Sequence, residues 1–194
     1  SDGKMVPVDE IKKISTYCRS NNIKLHLDGA RIFMASAWSG ISIKEYASYF
    51  ATVYISMYKY LGASAGAILC GDKTVIEKMP HLMKIHGGSM YGNWLNAAMA
   101  LYRVEGCAER LQQAISRSAG LFTNLNQVPG LKISALDGGT NIYDMQLPVG
   151  INGKKLKEYL AEKYFIRIPM PDTNGNVKIM VNETLLYRDI TYMA

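Results

Sequence analysis

Apolar and polar residues follow two rhythms along this chain, and each change of rhythm marks a new element. Residues 8–21 keep a helical period: Ile11, Ile14 and Cys18 share one face, Lys12, Lys13 and Arg19 lie elsewhere, and Asn21-Asn22 ends the run. Ile23-Lys24-Leu25-His26-Leu27 alternates instead, which predicts a strand delivering Asp28 at its carboxyl end. Ser42-Ile43-Lys44-Glu45 has the pattern of a capping box and so opens a short helix. Two more apolar strands are expected, over 52–56 and 65–70. The loop between them is too short for a parallel crossover, so they should pair antiparallel, with Lys59 in the loop. A long helical region over 91–127, broken near Gly106, carries Leu111, Ile115, Phe122 and Leu125 on its later apolar face. The Pro129-Gly130 turn marks a boundary. Beyond it the pattern predicts strands over 131–134 and 141–147, a helix over 152–163, and strands over 165–168 and 177–181. The expected architecture is α/β, with a first domain over 1–128 and a small α+β domain over 129–194.

Composition narrows the function classes. With 194 residues, 48% hydrophobic and 20% charged, the chain can bury a globular core. The net charge of +6 is moderate and its basic residues are scattered. Lys12-Lys13 and Lys154-Lys155-Lys157 fall on expected helices, where they make solvated faces, and no basic stripe or binding motif points to nucleic acid. Cys18, Cys70 and Cys107 are odd in number and widely spaced, which argues against a disulfide framework or a zinc site and suits a reducing cytoplasm. No apolar run reaches membrane-spanning length, and no signal peptide is visible.

The chemistry centres on Asp28 and Lys59, each set at the end of an expected strand. In open α/β sheets, ligands bind just beyond the carboxyl ends of strands. A carboxylate and an amine so placed are what pyridoxal phosphate (PLP) needs: one to keep its ring nitrogen protonated, the other to condense with its aldehyde. Each has a bland alternative. Asp28 could cap a helix beginning at Ala30-Arg31, and Lys59 could be a surface lysine. The small residues Gly62, Ala63, Ser64, Ala65 and Gly66 favour a loop pressed against a ligand. His26 lies on the Asp28 side of its strand and reads as a packed strand histidine.

The residues around this pair resemble the low-specificity threonine aldolases. Residues 3–31 are similar to the segment leading into that family's LHLDGAR motif. Residues 56–66 are similar to its SKGLGAPVG lysine loop, with Ser64 where proline is usual, and residues 84–93 to its KMLGGGMRQA turn. The interval of 31 residues from Asp28 to Lys59 also fits. The resemblance implies the fold-type-I architecture of PLP-dependent transferases, with the C-terminal part of the large domain followed by the small domain. It implies that Lys59 is the catalytic amine, that Asp28, Ser56 and Lys84 join it in holding PLP, with Ser56 on the phosphate, and that Arg31 helps to hold the substrate carboxylate. Guanidinium forks match carboxylates in two bonds. Two departures concern the substrate. Tyr91 follows Met90 where arginine is usual, and Lys178 stands where a second carboxylate-binding arginine is expected.

The expected activity is cleavage of the Cα–Cβ bond of a 3-hydroxy amino acid, giving glycine and an aldehyde. An aminotransferase or a β-eliminating lyase would keep the same Lys-Asp pair, and a non-catalytic remnant would keep the fold alone. A homo-oligomer, dimer or tetramer, is implied because the 84–93 turn lies at a subunit junction in such enzymes. Neither a nucleic acid nor a membrane is an expected partner, and no metal is expected. Because Ser1 already matches the middle of the family pattern, the chain is expected to be roughly the second half of a longer enzyme, inactive by itself.

Overall fold

The computed structural model describes residues 3–193. Contacts divide the chain into two compact units: residues 6–109, and residues 110–194 together with the residues up to Met5. The division falls in the first turn of a long helix.

In the unit of residues 6–109, α1 (Val8–Ser20) leads to β1 (His26–Asp28), then α2 (Ile32–Ser39), α3 (Ile43–Ser48), β2 (Thr52–Ser56) and β3 (Ala67–Gly71). α4 (Lys73–Ile76), α5 (Met79–Ile85) and α6 (Trp94–Val104) follow. The sheet order is β1-β2-β3. β1 runs parallel to β2, with His26 opposite Thr52 and Asp28 opposite Tyr54. β2 and β3 are antiparallel, with Thr52 opposite Gly71 and Ser56 opposite Ala67, as their short connection requires. Alternation sorts the two faces. Leu27, Val53 and Ile55 pack with Ile32, Tyr46, Ile11, Phe33 and Phe50 in one apolar cluster. His26, Asp28, Thr52, Tyr54 and Ser56 fall on the opposite side of the pleat. Burying a side chain such as Ile32 or Val53 contributes about 1.5–3 kcal/mol, so the cluster fixes which face carries the polar row.

Several expectations hold in detail. Ser42 Oγ accepts the Glu45 amide at 3.0 Å, the first half of the capping box. The long helical region breaks at Gly106, where φ is +66°. α1 differs from its expected face: Ile14 is exposed, while Ser15 is buried and donates to the Tyr49 carbonyl at 2.7 Å. A serine can face inward because that carbonyl satisfies it. β1 is also shorter than the expected strand, beginning only at His26.

The other unit is built on α7 (Cys107–Leu125), β4 (Lys132–Ala135), β5 (Ile142–Gln146), α8 (Gly153–Tyr164), β6 (Asn176–Met180), a 3-10 turn over Glu183–Leu186 and α9 (Ile190–Met193). Its sheet is antiparallel in the order β4-β5-β6. Ala114, Leu121 and Phe122 of α7 pack against Ile133, Met145, Val177 and Val181. Phe122 meets Tyr143 edge-on at 4.6 Å. Residues 3–5 join this unit: Met5 N donates to Gly138 O at 3.0 Å, and Thr140 N to Gly3 O at 2.9 Å. The strand expected over 165–168 does not form. Phe165 adopts a left-handed conformation that closes α8, the Ile166 amide is spent on the Leu160 carbonyl, and Pro169 and Pro171 prevent a ladder from continuing beyond residue 168. Ile168 instead packs singly onto the core.

Candidate active site

One hydrogen bond closes the turn after β1 and a second ties that turn to the end of β2. Asp28 Oδ1 accepts the Ala30 amide at 3.1 Å, and Ser56 Oγ donates to the Ala30 carbonyl at 2.8 Å. Gly29 makes the approach possible, since a Cβ there would lie 2.7 Å from the Tyr54 carbonyl oxygen and 3.2 Å from Val53 Cγ1. Asp28 is exposed at the strand end. Its Oδ2 has no donor among the described residues. Asp28 is not a helix cap, because α2 begins after Arg31.

Beyond Ser56 the chain closes a tight loop. Met57 N donates to Gly66 O at 3.1 Å and Ala63 N to Met57 O at 3.3 Å, while Met57, Leu61 and Ala63 are buried beneath it. Lys59 stands half-buried on this frame, its Nζ 5.6 Å from the centre of the Tyr58 ring. It has no carboxylate partner among the described residues. The Tyr58 and Tyr54 hydroxyls lie 3.4 Å apart, and Tyr54 is the register partner of Asp28. The Tyr54 phenol is raised above its ordinary value by the Tyr58 hydroxyl first, then by burial and by the charge of Asp28. Tyr54 and Tyr58 thus connect the carboxylate side of the site to the lysine side. Sequence reasoning passed over both, although the alternation through β2 puts Tyr54 in the same row as Ser56.

Arg31 is exposed at the start of α2, with no ion-pair partner among the described residues. It sits beside Tyr60. Burial raises the Tyr60 phenol, and the Arg31 guanidinium pulls it back down. His26 Nδ1 lies 2.8 Å from Thr52 Oγ1, which accounts for it as a strand residue. Lys84 is exposed in the last turn of α5. Lys178 belongs to the other unit, on β6 opposite Asp144. The structure therefore gathers Asp28, Ser56, Lys59 and Arg31 around the strand ends, whereas Lys84 and Lys178 lie on other elements. Ser56 is 1% exposed and committed to Ala30, so a phosphate contact would require its hydroxyl to turn.

A carboxylate oxygen without a donor and an amine without a counter-charge are the donor set for a group with a protonated ring nitrogen at one end and an aldehyde at the other. The residues present fit PLP at those two points. Among the described residues no His, Cys, Asp and Glu cluster could hold a metal, and no helix is long and apolar enough to cross a membrane.

Residues 1–148 match the family model of the beta-eliminating lyases. The chain belongs to that family. It is 47% identical over 103 residues to a low-specificity L-threonine aldolase of Candida albicans, a match covering 53% of this chain and 28% of the relative. It is 26% identical over 194 residues to low-specificity L-threonine aldolase 1 of Arabidopsis thaliana, covering 99% of this chain and 54% of that protein. Among solved structures it is similar to an Exiguobacterium sp. 255-15 protein assigned to the aromatic amino acid beta-eliminating lyases/threonine aldolases. That likeness has a TM-score of 0.79 at 26% identity and takes in 98% of this chain and 56% of the other. The chain thus spans about half the length of the relatives that it matches end to end. The fold is α/β of the fold-type-I kind, as the motifs implied.

Proposed function

We propose that the whole protein carrying this chain is a PLP-dependent lyase that cleaves the Cα–Cβ bond of a 3-hydroxy amino acid to glycine and an aldehyde. The observation that supports the reading is the placement of Asp28 at the end of β1 and of Lys59 just past the end of the adjacent parallel β2, each with an uncommitted polar atom. PLP, when bound, takes up the electron pair left on the substrate α-carbon. Asp28 would hold the ring nitrogen in its protonated form, and Lys59 would hold the aldehyde end. Tyr54, beside Asp28, and Tyr58, beside Lys59, would flank the cofactor. Arg31 would orient the substrate by its carboxylate, with Lys178 as a second, less rigid partner, since an ammonium fixes no plane. Ser56, once turned from Ala30, and Lys84 would complete the cofactor contacts. We place the enzyme in the cytoplasm as a homo-oligomer, dimer or tetramer, and the domain limits at 1–128 and 129–194.

The family match also favours β-elimination, which would use the same Lys59 and Asp28 but release ammonia and a keto acid. A screen of the PLP-loaded whole protein against 3-hydroxy amino acids separates the two. Glycine and aldehyde support cleavage, keto acid and ammonia support elimination, and no product from any substrate would refute both.

A further inference from the structure

Two departures from the family motifs lie 29 residues apart in sequence, Ser64 in place of proline and Asn93 in place of alanine. They meet in one hydrogen-bond network. Asn96, in the first turn of α6, is 7% exposed, an unusual burial for a helical asparagine. Its Oδ1 receives three donors from the lysine loop: Ser64 Oγ at 2.9 Å, Ser64 N at 3.2 Å and Ala65 N at 3.3 Å. Its Nδ2 donates to Asn93 Oδ1 at 2.9 Å. This fixes the amide's orientation, because the flipped form would turn an NH2 toward three donors. Asn93 in turn covers Gly66. A Cβ on Gly66 would lie 3.4 Å from both polar atoms of the Asn93 side chain, and φ there is +93°.

We propose that Asn96 is a positioning residue for the Lys59 loop, holding from α6 the segment that a proline would otherwise stiffen from within. The physical reasons are specific. Proline has no N–H, so serine at position 64 adds a backbone donor that needs an acceptor, and Asn96 supplies it. Proline also restricts the loop before folding, whereas serine leaves it free, so restraint has to come from a tertiary contact. Lys59 lies between this anchor and the β2 end, where Met57 N bonds Gly66 O. The loop is thereby held on both sides of its lysine. The inference rests on the proposed role of Lys59 for its consequence, but not for the network itself.

The test uses the whole protein, as made and loaded with PLP, and two variants. Asn96→Leu removes the acceptor. Asn96→Asp keeps acceptor oxygens for the loop, with Asn93 free to flip and donate. Hydrogen exchange at the Ser64 and Ala65 amides should quicken in Asn96→Leu by about tenfold, the order expected for losing a part-buried hydrogen bond. Amides of β2 should be unchanged. The induced circular dichroism of the visible cofactor band should fall in Asn96→Leu and return in Asn96→Asp and in the double variant Asn96→Leu with Ser64→Pro. Unchanged exchange at Ser64 and Ala65 in Asn96→Leu, or failure of both restoring variants, would overturn the proposal. If Asn96→Leu does not fold, Ser64→Pro alone decides: it should keep the dichroism, and its loss would be contrary. Borohydride reduction of the unaltered protein that leaves Lys59 unlabelled would defeat the cofactor reading instead, while the exchange result still judges the network.

Discussion

Gly29→Ala is the sharpest test of how the fold sets the site. Gly29 is not in the left-handed region, so alanine there suffers no conformational strain, and the whole cost is contact. The new methyl would lie 2.7 Å from the Tyr54 carbonyl oxygen, 3.2 Å from Val53 Cγ1 and 3.5 Å from Ile32 Cβ. The first neighbour is backbone within the β1–β2 ladder, and the other two are core residues 4% exposed. None can swing aside as a flexible side-chain tip could. Relief needs β1 and β2 to separate locally, and overpacking of this kind costs about 1–3 kcal/mol. With backbone as the nearest obstacle we expect the upper half, about 2–3 kcal/mol. For a chain of this length that is a drop in Tm of about 4–12 °C. Urea unfolding of the 194-residue chain should show a lower midpoint with an unchanged slope. Gly92→Ala is the control, because nothing lies within 4 Å of a Cβ there. A Gly29→Ala variant within about 0.5 kcal/mol of that control would refute the close-approach argument.

Other outcomes follow from the site and its surroundings. Borohydride reduction of the PLP-loaded whole protein should mark Lys59, with no label in Lys59→Ala; a label at Lys84 would redirect the assignment. The 194-residue chain alone should bind PLP at least several decades more weakly than the whole protein, since each missing charge-assisted phosphate contact is worth about 1.5–3 kcal/mol; micromolar binding in a fluorescence titration would contradict this. Lys178→Ala should raise KM with little change in kcat, and Lys178→Arg should be tolerated, because the contact exists in both ground and transition states; unchanged steady-state kinetics would place carboxylate recognition elsewhere. Asp172 accepts the Asn176 and Asn174 amides, and the Asn176 contacts hold its carboxyl below the usual range. The stability it contributes is present above the ordinary carboxylate pKa and lost as pH falls through the depressed one. The gap in urea midpoint between the natural chain and Asp172→Asn should therefore hold at neutral pH and close in acid.

Local rules made much of this molecule legible. The strand ending at Asp28, the antiparallel pair around Lys59, the Ser42 cap and the break at Gly106 each follow from period, turn length or backbone freedom. What escaped depends on distant partners. Ile14 and Ser15 exchange their expected places because the Tyr49 carbonyl awaits the serine. Residues 165–168 are apolar enough for a strand, but the left-handed Phe165 and the Ile166 amide close α8 instead. Tyr54 and Tyr58 gain meaning only when β1 is laid beside β2, and Asn96 only when α6 meets the lysine loop. The sequence marks such residues as ordinary because nothing near them in the chain explains them.

The pairing of residues 3–5 with residues 138–140 bears on the order in which the polypeptide acquires its structure. Thr140 Oγ1 donates to Gly3 O across 137 positions at 2.7 Å, beside the two backbone bonds of the same junction. Closing a flexible loop of that length costs about 4 kcal/mol of chain entropy beyond a constant. At a ribosomal pace of about 5–20 residues per second, the segment around Gly3 waits roughly 7–30 s for its partner to be synthesised. The strands around Asp28 and Lys59 have all of their mutual partners long before then. Residues 3–5 thus stay without their partner until the segment around Thr140 is made, and a chaperone or protease acting on the nascent chain would meet them unpaired.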